Sequence, residues 1–133
     1  MSFEKAKKYL QEKGYEDHII ELEDSSATVQ LAAEALGVEP GMIAKTLSFL
    51  VSDTPILILA EGTARVDNHK YKDTFHRKAK MIPFDDVEDF IGHAPGGVCP
   101  FGIKEGIPVY LDESLKKFDT VYPAAGNDHS AVR

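Results

Sequence analysis

Hydrophobic positions along this chain recur with two periods, and the switches between them mark out the elements. Phe3, Ala6 and Leu10 fall three to four apart, which predicts a helix over Phe3–Lys13 that Gly14 ends. Asp17–Glu23 reads as a short strand. Helical spacing returns over Thr28–Leu36, with Thr28 or Ser26 as the cap and Gly37 as the stop. Ile43–Ser52 and Pro55–Ala60 are two apolar runs joined by a short polar turn, the pattern of a hairpin. A basic helical stretch follows over Asn68–Ala79. Asp85-Asp-Val-Glu88 has capping-box spacing and predicts a short helix that Gly92 closes. Beyond a Gly- and Pro-rich loop over residues 92–102, Ile107–Leu111 and Thr120–Ala124 predict two more strands. Helices and hairpins interleave without regular βαβ repetition. The expected class is therefore α+β, a mixed and largely antiparallel sheet flanked by helices.

Length adds that residues 1–133 form one domain, because 133 residues suffice for one core and leave little for a second. No stretch approaches the roughly 18 apolar residues of a membrane span. Met1-Ser-Phe-Glu-Lys5 lacks the apolar centre of a signal peptide. Cys99 is the single cysteine, so no internal disulfide can form, and a cytoplasmic protein is expected. The net charge of −7 speaks against groove binding to DNA. Charge is unevenly spread, however. Arg65, Lys70, Lys72, Arg77, Lys78 and Lys80 outnumber Asp67 and Asp73, so this segment is +4 and the remainder −11. One basic patch on an acidic body suits local phosphate contact, or is simply a solvated helix face.

Three places could carry chemistry. Lys45 alternates onto the strand face of Ile43, Leu47, Phe49 and Val51, while Ala44, Thr46, Ser48 and Leu50 form a smaller, more polar face. A lysine on the bulkier face either snorkels to solvent or is held in a partly dry pocket to grip a substrate oxygen. The loop Gly92-His-Ala-Pro-Gly-Gly-Val-Cys-Pro-Phe-Gly102 could present amides to a carbonyl or oxyanion, or be an ordinary turn. Gly126-Asn-Asp-His129 could deliver a carboxylate or imidazole to a site, or remain on the surface. Cys99 has no local base to make it a nucleophile, which favours a small, partly buried role. His69, His76, His93 and His129 lack close ligand spacing, so no metal is expected. No serine elbow motif occurs.

Together these residues resemble the YbaK/ProX family of aminoacyl-tRNA deacylases, relatives of the editing insertion in bacterial prolyl-tRNA synthetases. Ala32-Ala-Glu-Ala-Leu-Gly-Val-Glu-Pro40, Ile43-Ala-Lys-Thr-Leu47 and Gly96-Gly-Val-Cys-Pro-Phe-Gly102 carry the likeness, in that order. It implies a YbaK-like, barrel-like sheet and hydrolysis of the ester joining an amino acid to the terminal adenosine of tRNA. Lys45 would orient the substrate, and Gly96, Gly97 and Pro100 would frame the loop that binds the ester carbonyl. His129 is carried over as a functional histidine, with Thr28, Val98, Cys99 and Asp128 as substrate contacts. The likeness implies no cofactor; a hydroxyl of the terminal ribose would activate water. The implied partners are a mischarged tRNA, with a small amino acid on tRNA for proline, and an aminoacyl-tRNA synthetase. A module that binds tRNA ends or a synthetase without catalysis is the competing reading. Two departures stand out: Cys99 replaces the family's usual serine or other small residue, and a C-terminal strand and helix of the family are not found here.

Overall fold

The computed structural model describes residues 2–133. Helix α1 (Ser2–Glu12) buries Ala6 and Leu10 on the expected stripe. After a 3₁₀ turn at Glu16–His18, strand β1 is short, Ile19–Glu21. Helix α2 (Val29–Leu36) starts at Thr28, whose hydroxyl accepts from the Leu31 N–H, and stops at Gly37, whose N–H reaches the Ala33 and Glu34 carbonyls.

The hairpin is present as β2 (Ala44–Val51) and β3 (Thr54–Glu61), paired in register from Ala44↔Glu61 to Val51↔Thr54. Its two-residue turn places Ser52 and Asp53 at φ 50° and 68°, the left-handed conformation that matches strand twist. One face packs Leu47, Phe49, Val51, Ile56 and Ile58 against Tyr71. The other contributes Leu57 and Leu50 to a cluster with Ile82, Val87 and Ile91. Each fully buried side chain of this size contributes roughly 1.5–3 kcal/mol.

Helix α3 (Asn68–Phe75) is capped by the Asp67 carboxylate, which accepts from the His69 and Lys70 N–H groups. It ends at His76 (φ 61°), short of the expected Ala79. The following residues leave the helix to pair with β2: the Leu50 N–H donates to the Lys80 carbonyl and the Ile82 N–H to that of Ser48. Helix α4 (Val87–Ile91) follows a 3₁₀ turn at Phe84–Asp86. The expected capping box is not formed there. Asp86 is already helical and its N–H is bonded to Pro83, so the 3₁₀ turn does the work of the cap.

Strand β4 (Val109–Leu111) lies parallel to β3, and β5 (Ser130–Val132) lies antiparallel to β1. The strand expected over Thr120–Ala124 is reduced to a single bridge, Ile43↔Tyr122, because Pro123 has no N–H to extend a ladder. That segment still joins the two sheets. Tyr122 exchanges hydrogen bonds with Met42 and Ala44, and Pro123 accepts from Val132. Two small sheets result, mixed and largely antiparallel, with helices packed on them, in keeping with the expected class.

Candidate active site

An opening beside β2 creates the site. Along the outer edge of β2, Ala44 is bonded to Tyr122, whereas Ser48 and Leu50 are bonded to residues 80–82. Thr46 lies between these two sets of partners. Its buried hydroxyl has no hydrogen-bond partner among the described residues. The gap opens onto a cavity of about 380 Å³ floored by Ala44, Thr46 and Ser48. This is the small, polar face that alternation separates from the core face. Val29 and Ala32 of α2 form one wall, and the loop before Gly102 forms another through Pro95, Gly96 and Val98.

That loop is rigidly seated. Gly96 has φ 90°, and the Gly97 N–H closes a turn on the Ala94 carbonyl at 3.1 Å. A Cβ on Gly97 would lie 2.6 Å from both Gly126 C and Asn127 N, so the loop touches the 126–127 turn backbone to backbone. Gly96 and Val98 line the cavity and make no hydrogen bonds among the described residues. Their amides are available to a ligand; that of Gly97 is not, and Pro100 has none.

Lys45, on the opposite face of β2 by alternation, is also among the residues that line the cavity. Its ammonium donates to the Gly62 carbonyl at 3.3 Å and to that of Ala64. The receiving loop is itself fixed, since Ala64 N–H donates to Glu61 O at 3.0 Å and Thr63 Oγ1 to the buried Glu61 carboxylate at 2.5 Å. Two of three ammonium protons are thereby used, and one remains.

The other sequence-derived residues divide by location. Thr28 borders the cavity, but its hydroxyl serves the α2 cap. Cys99 is fully buried behind the loop and is not part of the cavity lining. Burial pushes its thiol up to about 12, which disfavours the thiolate. Asp128 and His129 lie on the surface beside Gly96, outside the lining, and pair with each other at 2.9 Å. That hydrogen bond holds the Asp128 carboxyl below its usual range. Sequence reasoning passed over Thr46, Ser26, Ser48 and Ser130, which supply hydroxyls to the cavity region. The Ser26 hydroxyl donates to the Ser130 carbonyl and accepts from the Ser130 N–H, both at 3.3 Å, and the Ser130 hydroxyl donates to Asn127 Oδ1 at 2.6 Å. The signal for them was weak but real: hydroxyl residues on the small face of a strand and at the end of an apolar one. Among the described residues, no cluster of His, Cys, Asp or Glu is arranged to hold a metal.

Residues 23–133 match the aminoacyl-tRNA editing domain family. The chain belongs to that family. It is 46% identical over 133 residues to the uncharacterised YwhH of Bacillus subtilis, covering 99% of this chain and 85% of YwhH. It is also 29% identical over 114 residues to EbsC of Enterococcus faecalis, which carries the provisional name Cys-tRNA(Pro)/Cys-tRNA(Cys) deacylase; 84% of this chain and 70% of EbsC are covered. A crystal structure described provisionally as a trans-editing enzyme for prolyl-tRNA synthetase superimposes with TM-score 0.87 at 30% identity, over 98% of this chain and 83% of that one. The YbaK-like deacylase resemblance of the sequence and the α+β expectation agree with these findings. The chain is thus an editing domain, a hydrolase of mischarged aminoacyl-tRNA.

Proposed function

We propose that this editing domain acts in trans on a small noncognate amino acid esterified to tRNA for proline. The observation that carries the proposal is the cavity itself, lined by Lys45 and by Gly96 and Val98, whose amides have no hydrogen-bond partner among the described residues. About 380 Å³ is at the small end of ligand pockets, room for an amino acid and its ester.

The two amides are the donors for the ester carbonyl, and their attraction strengthens as that oxygen gains charge during attack by water. The remaining Lys45 proton points the ammonium at the substrate's oxygens, while its two carbonyl contacts keep the charge from wandering. Burial disfavours a Cys99 thiolate, so hydrolysis proceeds without a covalent intermediate on that residue, and a hydroxyl of the terminal ribose orients the attacking water by hydrogen bonding. Met81 and Phe84 are 56% and 75% exposed at the cavity mouth, where they offer apolar faces to the terminal adenine. Exposed Lys70, Lys72, Arg77, Lys78 and Lys80 precede them in the chain and meet backbone phosphates. No helix among the described residues is long and apolar enough to cross a membrane, and such a substrate places the work in the cytoplasm.

The test is release of amino acid from preformed tRNAs carrying cysteine, alanine, serine or cognate proline. Release of one small noncognate residue with proline retained is the expected result. Saturable tRNA binding without release from any of the four contradicts it.

A further inference from the structure

His93 is fully buried, yet nothing in the proposed reaction uses it. It begins the loop that carries Gly96 and Val98, and its Nε2–H donates to the Phe101 carbonyl at 2.6 Å. One side chain therefore ties the two ends of an otherwise irregular segment. Both ends also meet the same turn of α1. The Lys5 ammonium donates to the Gly92 carbonyl at 3.3 Å, and Gly102 lies against the Lys5 backbone, where a Cβ would collide with the Lys5 carbonyl. Cys99 Sγ packs 3.5 Å from the same ring nitrogen. Nδ1 is buried and has no partner among the described residues. With Nε2 as the donor, the ring is the neutral tautomer, and a second proton on Nδ1 would be buried without an acceptor.

We propose that His93 is a positioning residue for deacylation: its bond to Phe101 sets the curvature of the 93–101 loop and so the placement of the Gly96 and Val98 amides at the ester. This rests on those amides being the oxyanion donors, as proposed above. The groups facing the ring are Lys5 from α1, Glu88 from α4 and Cys99 and Phe101 from the loop. Burial holds the imidazole below its ordinary value near 6.5; Lys5 adds to this, while the Phe101 bond and Glu88 oppose it. Protonation in acid turns an accommodated neutral ring into an uncompensated buried cation.

Three proteins test this: wild type, His93→Gln, which keeps an N–H near the Nε2 position, and His93→Leu, which fills similar space without a donor. Each is assayed for kcat and KM on the aminoacyl-tRNA that wild type hydrolyses best, and for amide hydrogen exchange at Gly97. In His93→Leu, kcat falls about 100-fold with KM little changed, as expected for a donor misplaced by about an ångström. Gly97 exchange accelerates in the same variant, and His93→Gln restores most of both. In wild type, kcat also falls in acid, at a pH lower than the ordinary histidine value near 6.5, by an increment that His93→Gln lacks. Wild-type kcat in a folded His93→Leu overturns the proposal, as does a folded His93→Gln with slow hydrolysis and fast Gly97 exchange. If His93→Leu does not fold, the Gln variant and the difference in pH profile decide. Wild type that hydrolyses no aminoacyl-tRNA refutes the deacylase reading and the catalytic role together; accelerated Gly97 exchange in His93→Leu then shows the loop tie alone.

Discussion

At the residue scale, environment separates groups that look alike in sequence. Cys99 and Gly96 belong to one loop, but the thiol is enclosed and the glycine is open to the cavity. With its thiol pushed up to about 12, Cys99 should resist alkylation at pH 8 in the native protein and react once unfolded. Cys99→Ala should keep deacylation within a few-fold of wild type, as release assays would show; a loss of a hundredfold would restore the thiol to the mechanism. Lys45 and the loop glycines could be picked out in the sequence because their types are informative wherever they occur. Thr46 and Ser130 could not, since a hydroxyl on a strand becomes notable only when folding removes its partners or seals it from water. His93 was invisible for the same reason: its worth lies in a carbonyl eight residues away.

At the element scale, the hairpin and the α2 helix were legible because both their periodicity and their stops are local. The two-residue Ser52-Asp53 turn and the Thr28 and Gly37 ends needed no distant contact. Failures came where long-range pairing decided the outcome. The basic helix ends early because residues 80–82 pair with β2, and Thr120–Ala124 bridges two sheets instead of forming a strand. The last strand, Ser130–Val132, gave too short a pattern to detect, yet its pairing with β1 is what seats the 126–129 turn beside the loop. Loop and turn touch at Gly97, so Gly97→Ala should force them apart. We expect a loss of about 1–3 kcal/mol in denaturant unfolding and a larger proportional loss of hydrolysis. Gly97→Ala with wild-type stability and rate would mean that this backbone contact is not holding the site.

At the scale of the whole molecule, the protein is acidic overall but concentrates positive charge in one segment, Arg65 to Lys80. Such an arrangement repels polyanions in general and lets one end of one polyanion dock. Replacing Lys70, Lys72, Arg77 and Lys78 with neutral residues should weaken binding of tRNA and reduce its salt slope by about 1 for each lost phosphate contact. Thermal stability should hardly change, because these side chains are exposed. An unchanged slope in a salt titration would move the tRNA contact to another face. Acid should also unfold the protein earlier than its carboxylates alone would require. The folded His93 binds its proton more weakly than the unfolded chain does, so stability is full above about 6.5 and declines as pH falls below it. The central claim is that Lys45 and the loop amides form one catalytic cavity. Its most direct test is single-turnover release from the preferred mischarged tRNA by wild type and Lys45→Ala, with a melting curve for each. For Lys45→Ala, a rate at least about 100-fold lower at an essentially unchanged melting temperature is expected. A well-folded Lys45→Ala protein that releases the amino acid at the wild-type rate would contradict it.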